Sequence, residues 1–139
     1  NFMIRKRVFN KIRFNERLTQ YGDEDLLFAL DAREKNIKID HIENEIFNND
    51  IEQNEIYLKK VKESVENLAL LLKKKQINRK LSEIKLVKAY ALIKSVKAQS
   101  LYLFVFLCAR RYLIKNLLSK NPNLKFLDFY KLGLLLKRL

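Results

Sequence analysis

Two glycines and a single proline in 139 residues leave this chain few ways to reverse direction sharply. Tight hairpins draw on residues that accept positive φ or hold φ near the proline value, so a sheet built from many hairpins is disfavoured. The scarcity predicts an all-α chain forming at most one ordinary domain, large enough to bury a core if compact.

Apolar spacing places the helices. Between Ile51 and Lys75, Leu58, Val61, Val65, Leu68 and Leu72 recur at steps of three and four, the strongest helical pattern in the sequence, and Asn48, Asn49 and Asp50 supply a polar break that caps it. Upstream, Leu26, Leu27, Leu30, Ile37, Ile39, Ile42 and Ile46 give helical spacing in two blocks from Asp23 to Phe47, with Asp23, Glu24 and Asp25 suited to the positive end of a helix dipole. A further helix is expected to begin by Lys97 at the latest and to run to Ser119. Its Leu101 to Leu107 stretch is apolar on every side and reads on local signals as a buried strand too; the helical spacing of Arg110 to Leu117 beyond it decides for helix.

The net charge of +13 is unevenly placed: residues 1–22 carry +5, residues 23–55 carry −8 and residues 56–139 carry +16. A clustered basic excess points to a polyanionic partner, because each phosphate neutralised releases condensed counterions. The competing reading is a solvated lysine-rich surface, with arginines paired to the acidic segment. Residues 1–22 begin without methionine and interleave Arg, Lys and Phe; they are read as mature sequence lying within a longer precursor. They form a basic arm whose ordering accompanies RNA binding, with Phe2, Phe9 and Phe14 stacking on bases or anchoring the arm by hydrophobic contact.

Around the one proline the residue types become more specific. Pro122 has the φ of a first helical position and Asn121 before it is a capping type, so Asn-Pro marks a corner between helices. Gly133 follows where a short helix needs a left-handed terminator. The ungapped series Arg110, Arg111, Leu113, Ile114, Leu117, Asn121, Pro122, Leu132, Gly133, Leu134 resembles the C-terminal half of bacterial-type small-subunit ribosomal protein fifteen. Upstream, Asn49, Asp50 and Glu55 fall on that family's loop pattern, and Leu58 to Leu72 fall on its long second helix.

That resemblance implies a four-helix ribosomal-protein core, here with an N-terminal helical extension and an extended antiparallel hairpin of helices two and three. The divisions are a basic arm at 1–22, an acidic extension plus first core helix at 23–47, and a core at 48–139. The chain is longer than the family pattern between Leu72 and Lys97; Leu81, Ile84, Val87 and Ala91 keep helical spacing there, so an inserted extension at about 73–96 prolongs the hairpin, turning between Lys73 and Arg79. The implied role is a structural constituent of the small subunit of an organelle ribosome, in the mitochondrial matrix or alternatively a plastid. Its implied partners are the central domain of small-subunit rRNA, neighbouring small-subunit proteins and large-subunit rRNA. The alternative is a helical accessory subunit of a mitochondrial complex that does not touch RNA. Candidate rRNA-binding residues are Arg5, Arg7 and Arg13 in the arm, Lys59 and Lys62 on the second helix, Lys97, Arg110, Arg111, Lys115 and Lys120 along the third, and Lys137 and Arg138 in the tail. Three features of the family pattern are replaced: Ile51, Glu52, Gln53 and Asn54 stand for the Thr-Gly-Ser-Pro part of its loop, its Asp-His-His-Ser type patch aligns with Val96, Lys97, Ala98 and Gln99, and its helix-three tyrosine aligns with Asn116.

No chemistry is expected. Cys108, the only cysteine, excludes an internal disulfide and reads as a small core residue. His41, the only histidine, lacks a second ligand and reads as a surface residue, so neither a metal nor another cofactor is expected. No glycine-rich phosphate loop or nucleophile constellation is present, so an enzyme is not expected. The apolar run Leu101 to Ala109 is nine residues, against the roughly 20 that span a bilayer, so no membrane partner is expected.

Overall fold

The computed structural model describes residues 3–14, 24–43, 45, 47, 52–73 and 81–139. Among these residues the structure is helical without strands: α1 (Lys6–Phe9), α2 (Glu24–Glu34), α3 (Asn54–Lys73), α4 (Lys85–Ser95), α5 (Gln99–Leu117) and α6 (Leu124–Arg138). The apolar run at 101–107 is helix, not strand.

The helix that holds the others together is α6. It packs against α3, α4 and α5. Its early residues Leu127 and Tyr130 share a cluster with Val61 of α3 and with Phe106, Leu113 and Leu117 of α5, while Leu135 further along meets Val65 and Ala69 of α3. This order makes α3 and α6 parallel and α5 antiparallel to both. Asn54 Nδ2 donates to the Ser119 carbonyl at 2.8 Å, tying the start of α3 to the end of α5. The expected pairing of helices two and three is therefore corrected: α3 and α5 run in opposite directions but meet over α6, which shares apolar clusters with both.

The inserted residues do not lengthen α5. They form the separate α4, whose Val87 joins Leu81, Leu27 of α2 and Leu68 and Leu71 of α3 in a second cluster. The expected turn at 73–79 lies outside the described residues after Lys73, as do the caps at 48–50. Helix α4 stops without glycine or proline. Lys97 takes φ 55°, and the Lys97 and Ala98 amides donate to the Lys94 and Ile93 carbonyls at 3.1 and 3.0 Å, the bonding of a Schellman terminator. These bonds offset the roughly 1–2 kcal/mol that a non-glycine residue spends in the left-handed region. Helix α5 thus begins at Gln99 rather than by Lys97, and ends at Leu117 rather than Ser119.

The same terminator ends α2. Asn36 has φ 51°, and the Asn36 and Ile37 amides donate to the Arg33 and Ala32 carbonyls. The second of the two expected blocks between 23 and 47 is consequently not helical where it is described; Ile39 and Ile42 are exposed in irregular chain, and Ile46 lies outside the described residues. The N-terminal arm is anchored on α2: Ile12 is buried, and Phe14 stacks on Phe28 with ring centroids 4.5 Å apart while Phe9 lies 6.4 Å from each. Hydrophobic anchoring is thus what Phe9 and Phe14 do; Phe2 lies outside the described residues.

Two readings around the proline are corrected. The cap of α6 is Asn123, whose side chain accepts from the Lys125 amide at 2.9 Å, so Pro122 precedes the cap and Asn121 is not the cap. Gly133 terminates nothing: α6 continues to Arg138, and a Cβ on this buried glycine would lie within 2.6 Å of Cγ, Cδ2 and Cε2 of Phe106. Glycine is needed there because two helices approach closely.

Candidate nucleic-acid interface

Between Glu83 and Asp128 the sequence has no carboxylate side chain but nine lysines and arginines. Helix α5 lies wholly within this stretch. Phe106, Leu113 and Leu117 are buried on one side, with Tyr102 and Ala109 partly buried beside them. The opposite side, read at steps of three and four, is Leu101, Phe104, Cys108, Arg111 and Lys115, all exposed. The face that looks outward is therefore apolar in its N-terminal part and cationic in its C-terminal part. Cys108, expected in the core, is exposed because it falls on this face.

Arg110, Arg111 and Lys115 are exposed, and among the described residues none of the three carries an ion pair. Among the described residues, Arg110 and Arg111 are not paired with the acidic segment. Asp40 is bridged by Lys38, and Glu52 by Lys60. Three solvated cations within two turns of one helix present donors that match phosphate oxygens, the arginines with a planar fork.

The corner after α5 is fixed by side chains. Asn116 Oδ1 accepts from the Asn123 amide at 3.0 Å, and Ser119 Oγ donates to the Asn116 carbonyl at 2.7 Å. Asn116 thus has a structural task. Lys120 sits exposed on this corner, and the link from Asn54 to Ser119 brings the first turns of α3 to the same end, with Lys59 and Lys62 exposed on them. Lys59, Lys62, Arg111, Lys115 and Lys120 accordingly belong to one half of the bundle. Lys125, exposed in the first turn of α6, joins them. Sequence reasoning missed Lys125; its place in the carboxylate-free stretch was the available signal.

The other candidates are elsewhere. Lys97 sits at the opposite end of α5, and Lys137 is exposed late in α6. Arg138 is committed to an ion pair with Glu66 of α3. Arg5, Arg7 and Arg13 are exposed on the arm beside α2. The twelve predicted residues therefore form no single patch.

Behind the apolar part of α5 the packing is aromatic. The Tyr102 hydroxyl donates to the Phe129 carbonyl at 3.0 Å, its ring centroid is 4.7 Å from that of Phe129, and burial pushes its pKa up to about 12. His41 is exposed. Among the described residues no three His, Cys, Asp or Glu side chains converge as a metal site, and no helix is long and apolar enough to cross a membrane. A shallow open hollow beside α2, lined by Leu30, Arg33, Asn36 and Ile37, brings no reactive groups together. Comparison with protein-family models finds no match to this chain, and comparisons with curated proteins and with solved structures find none either.

Proposed function

We propose that this chain is a structural, non-enzymatic RNA-binding constituent of the small subunit of an organelle ribosome, mitochondrial in the first instance. It lies on the central domain of the small-subunit rRNA, next to other small-subunit proteins and within reach of large-subunit rRNA. The observation that carries the reading is the exposed trio Arg110, Arg111 and Lys115, without an ion pair among the described residues and in a stretch without carboxylates, on the residues whose spacing resembles ribosomal protein fifteen. Phosphate neutralisation supplies affinity in this reading, and the shape of the helical scaffold selects folded RNA. The replaced patch at Val96 to Gln99 removes the family's groove-reading groups, which suits an RNA that has diverged.

The test is a titration of central-domain RNA at several salt concentrations, beside co-sedimentation with small subunits after a salt wash. Each of Arg110→Gln, Arg111→Gln and Lys115→Gln is expected to reduce the slope of log affinity against log salt by roughly 0.7–0.9. A flat slope in the parent, or equal binding to heparin and RNA, overturns the reading. The second reading, a helical accessory subunit of a mitochondrial complex, is favoured by one observation, the exposed apolar part of α5.

A further inference from the structure

The N-terminal half of the outer face of α5 is not explained by RNA binding. Leu101 and Phe104 are each 67% exposed, and Val105, Leu107, Cys108 and Tyr112 are exposed with them. Isolated apolar residues on a surface are ordinary, but six on adjoining sides of three turns of one helix form a continuous patch. Leu101, Val105 and Leu107 give phosphates and 2′-hydroxyls nothing to bond and bases no ring to stack on, so RNA does not account for the aliphatic part of the patch.

We propose that this patch docks an acidic amphipathic helix of a neighbouring protein, one whose apolar stripe covers Leu101, Phe104 and Cys108 and whose carboxylates meet Arg111 and Lys115. Charge complementarity selects that occupant. No carboxylate occurs from Ile84 to Leu127, so every ionised side chain on α5 itself is positive. A second copy laid on it in parallel by the same face would set cation against cation, and an acidic helix relieves what a like one aggravates. A lipid surface fits less well. Interfacial helices carry their cations alongside the apolar stripe at headgroup depth, whereas Arg111 and Lys115 succeed Phe104 and Cys108 along the helix axis. A partner helix reads such a line at i, i+3, i+4 and i+7 spacing. The proposal does not depend on the ribosomal reading.

Cys108 is the only thiol in the sequence and lies inside the patch, so its alkylation by iodoacetamide reports occupancy. The full chain is titrated with a synthetic Leu/Glu helix about three turns longer than the patch, leucines at i, i+3, i+4 and i+7, and with a scrambled peptide of equal composition. Phosphatidylserine vesicles and central-domain RNA form further arms, and sedimentation monitors self-association. The patterned peptide is expected to slow Cys108 alkylation about tenfold at saturation and to bind about tenfold more tightly than the scrambled one. Phe104→Glu, which keeps the fold by circular dichroism and the salt slope for RNA, abolishes both effects, and Phe104→Leu retains them. Equal binding of the two peptides, indifference to Phe104→Glu, protection of Cys108 by vesicles or RNA, or self-association abolished by Phe104→Glu would each overturn the proposal.

Discussion

Replacing Gly133 with alanine sets two known effects against each other. In an exposed helix the change gains about 1 kcal/mol, because alanine is the better helix former. Here the added Cβ would lie within 2.6 Å of three ring atoms of Phe106, where comfortable carbon contacts need roughly 3.5–4.0 Å. The ring has no free direction: Phe106 is 1% exposed, with the rings of Tyr130 and Phe129 at 6.0 and 6.4 Å between centroids. Helices α5 and α6 must separate by roughly 1 Å, a movement at the upper end of overpacking costs, about 3 kcal/mol. Subtracting the propensity gain leaves a net loss of about 2 kcal/mol, or a fall in melting temperature of roughly 6–10 °C. Urea unfolding followed by far-ultraviolet circular dichroism measures it. A double-mutant cycle with Phe106→Leu isolates the cause, since the alanine should cost little once the ring is gone. A Gly133→Ala protein as stable as its parent would refute the close-approach argument.

Two further outcomes are expected. Asn123→Ala should cost about 1 kcal/mol by removing the α6 cap, while Asn121→Ala should stay within about 0.5 kcal/mol of the parent; thermal melts of the pair decide which asparagine caps the helix. Burial raises the Tyr102 pKa from its ordinary value of 10 to about 12, so the folded state holds that proton longer than the unfolded one. This contribution is complete below pH 10 and is lost between pH 10 and 12. Urea midpoints across that interval should fall less in Tyr102→Phe than in the parent.

The helices were legible where the pattern is periodic. Val61, Val65 and Leu68, chosen by spacing alone, are buried, and Leu58 and Leu72 are partly so. Spacing failed where an outcome depends on a distant partner. Nothing local to Gly133 announces Phe106 in another helix, and nothing local to Arg138 announces Glu66 in α3. The terminators at Asn36 and Lys97 were hidden because neither is glycine, so the left-handed step carries no compositional mark. At the proline, two asparagines compete within three residues, and the one bonded to Lys125 wins. The cationic face was legible as charge, since Arg111 and Lys115 are exposed on it and Arg110 is exposed beside it. The apolar half was not, because a run such as Leu101 to Leu107 signals burial without saying whether this chain or another supplies the cover.

Helix α6 follows all three of its packing partners in the chain, which gives folding during synthesis a fixed order. Until residues 124–138 leave the translating ribosome, the faces of α3, α4 and α5 that α6 covers are unmatched, and only the smaller cluster of α2, α3 and α4 can form. Assembly of the main core is then a late event triggered by one segment, so nonsense or frameshift lesions after Leu117 should be as damaging as those far upstream.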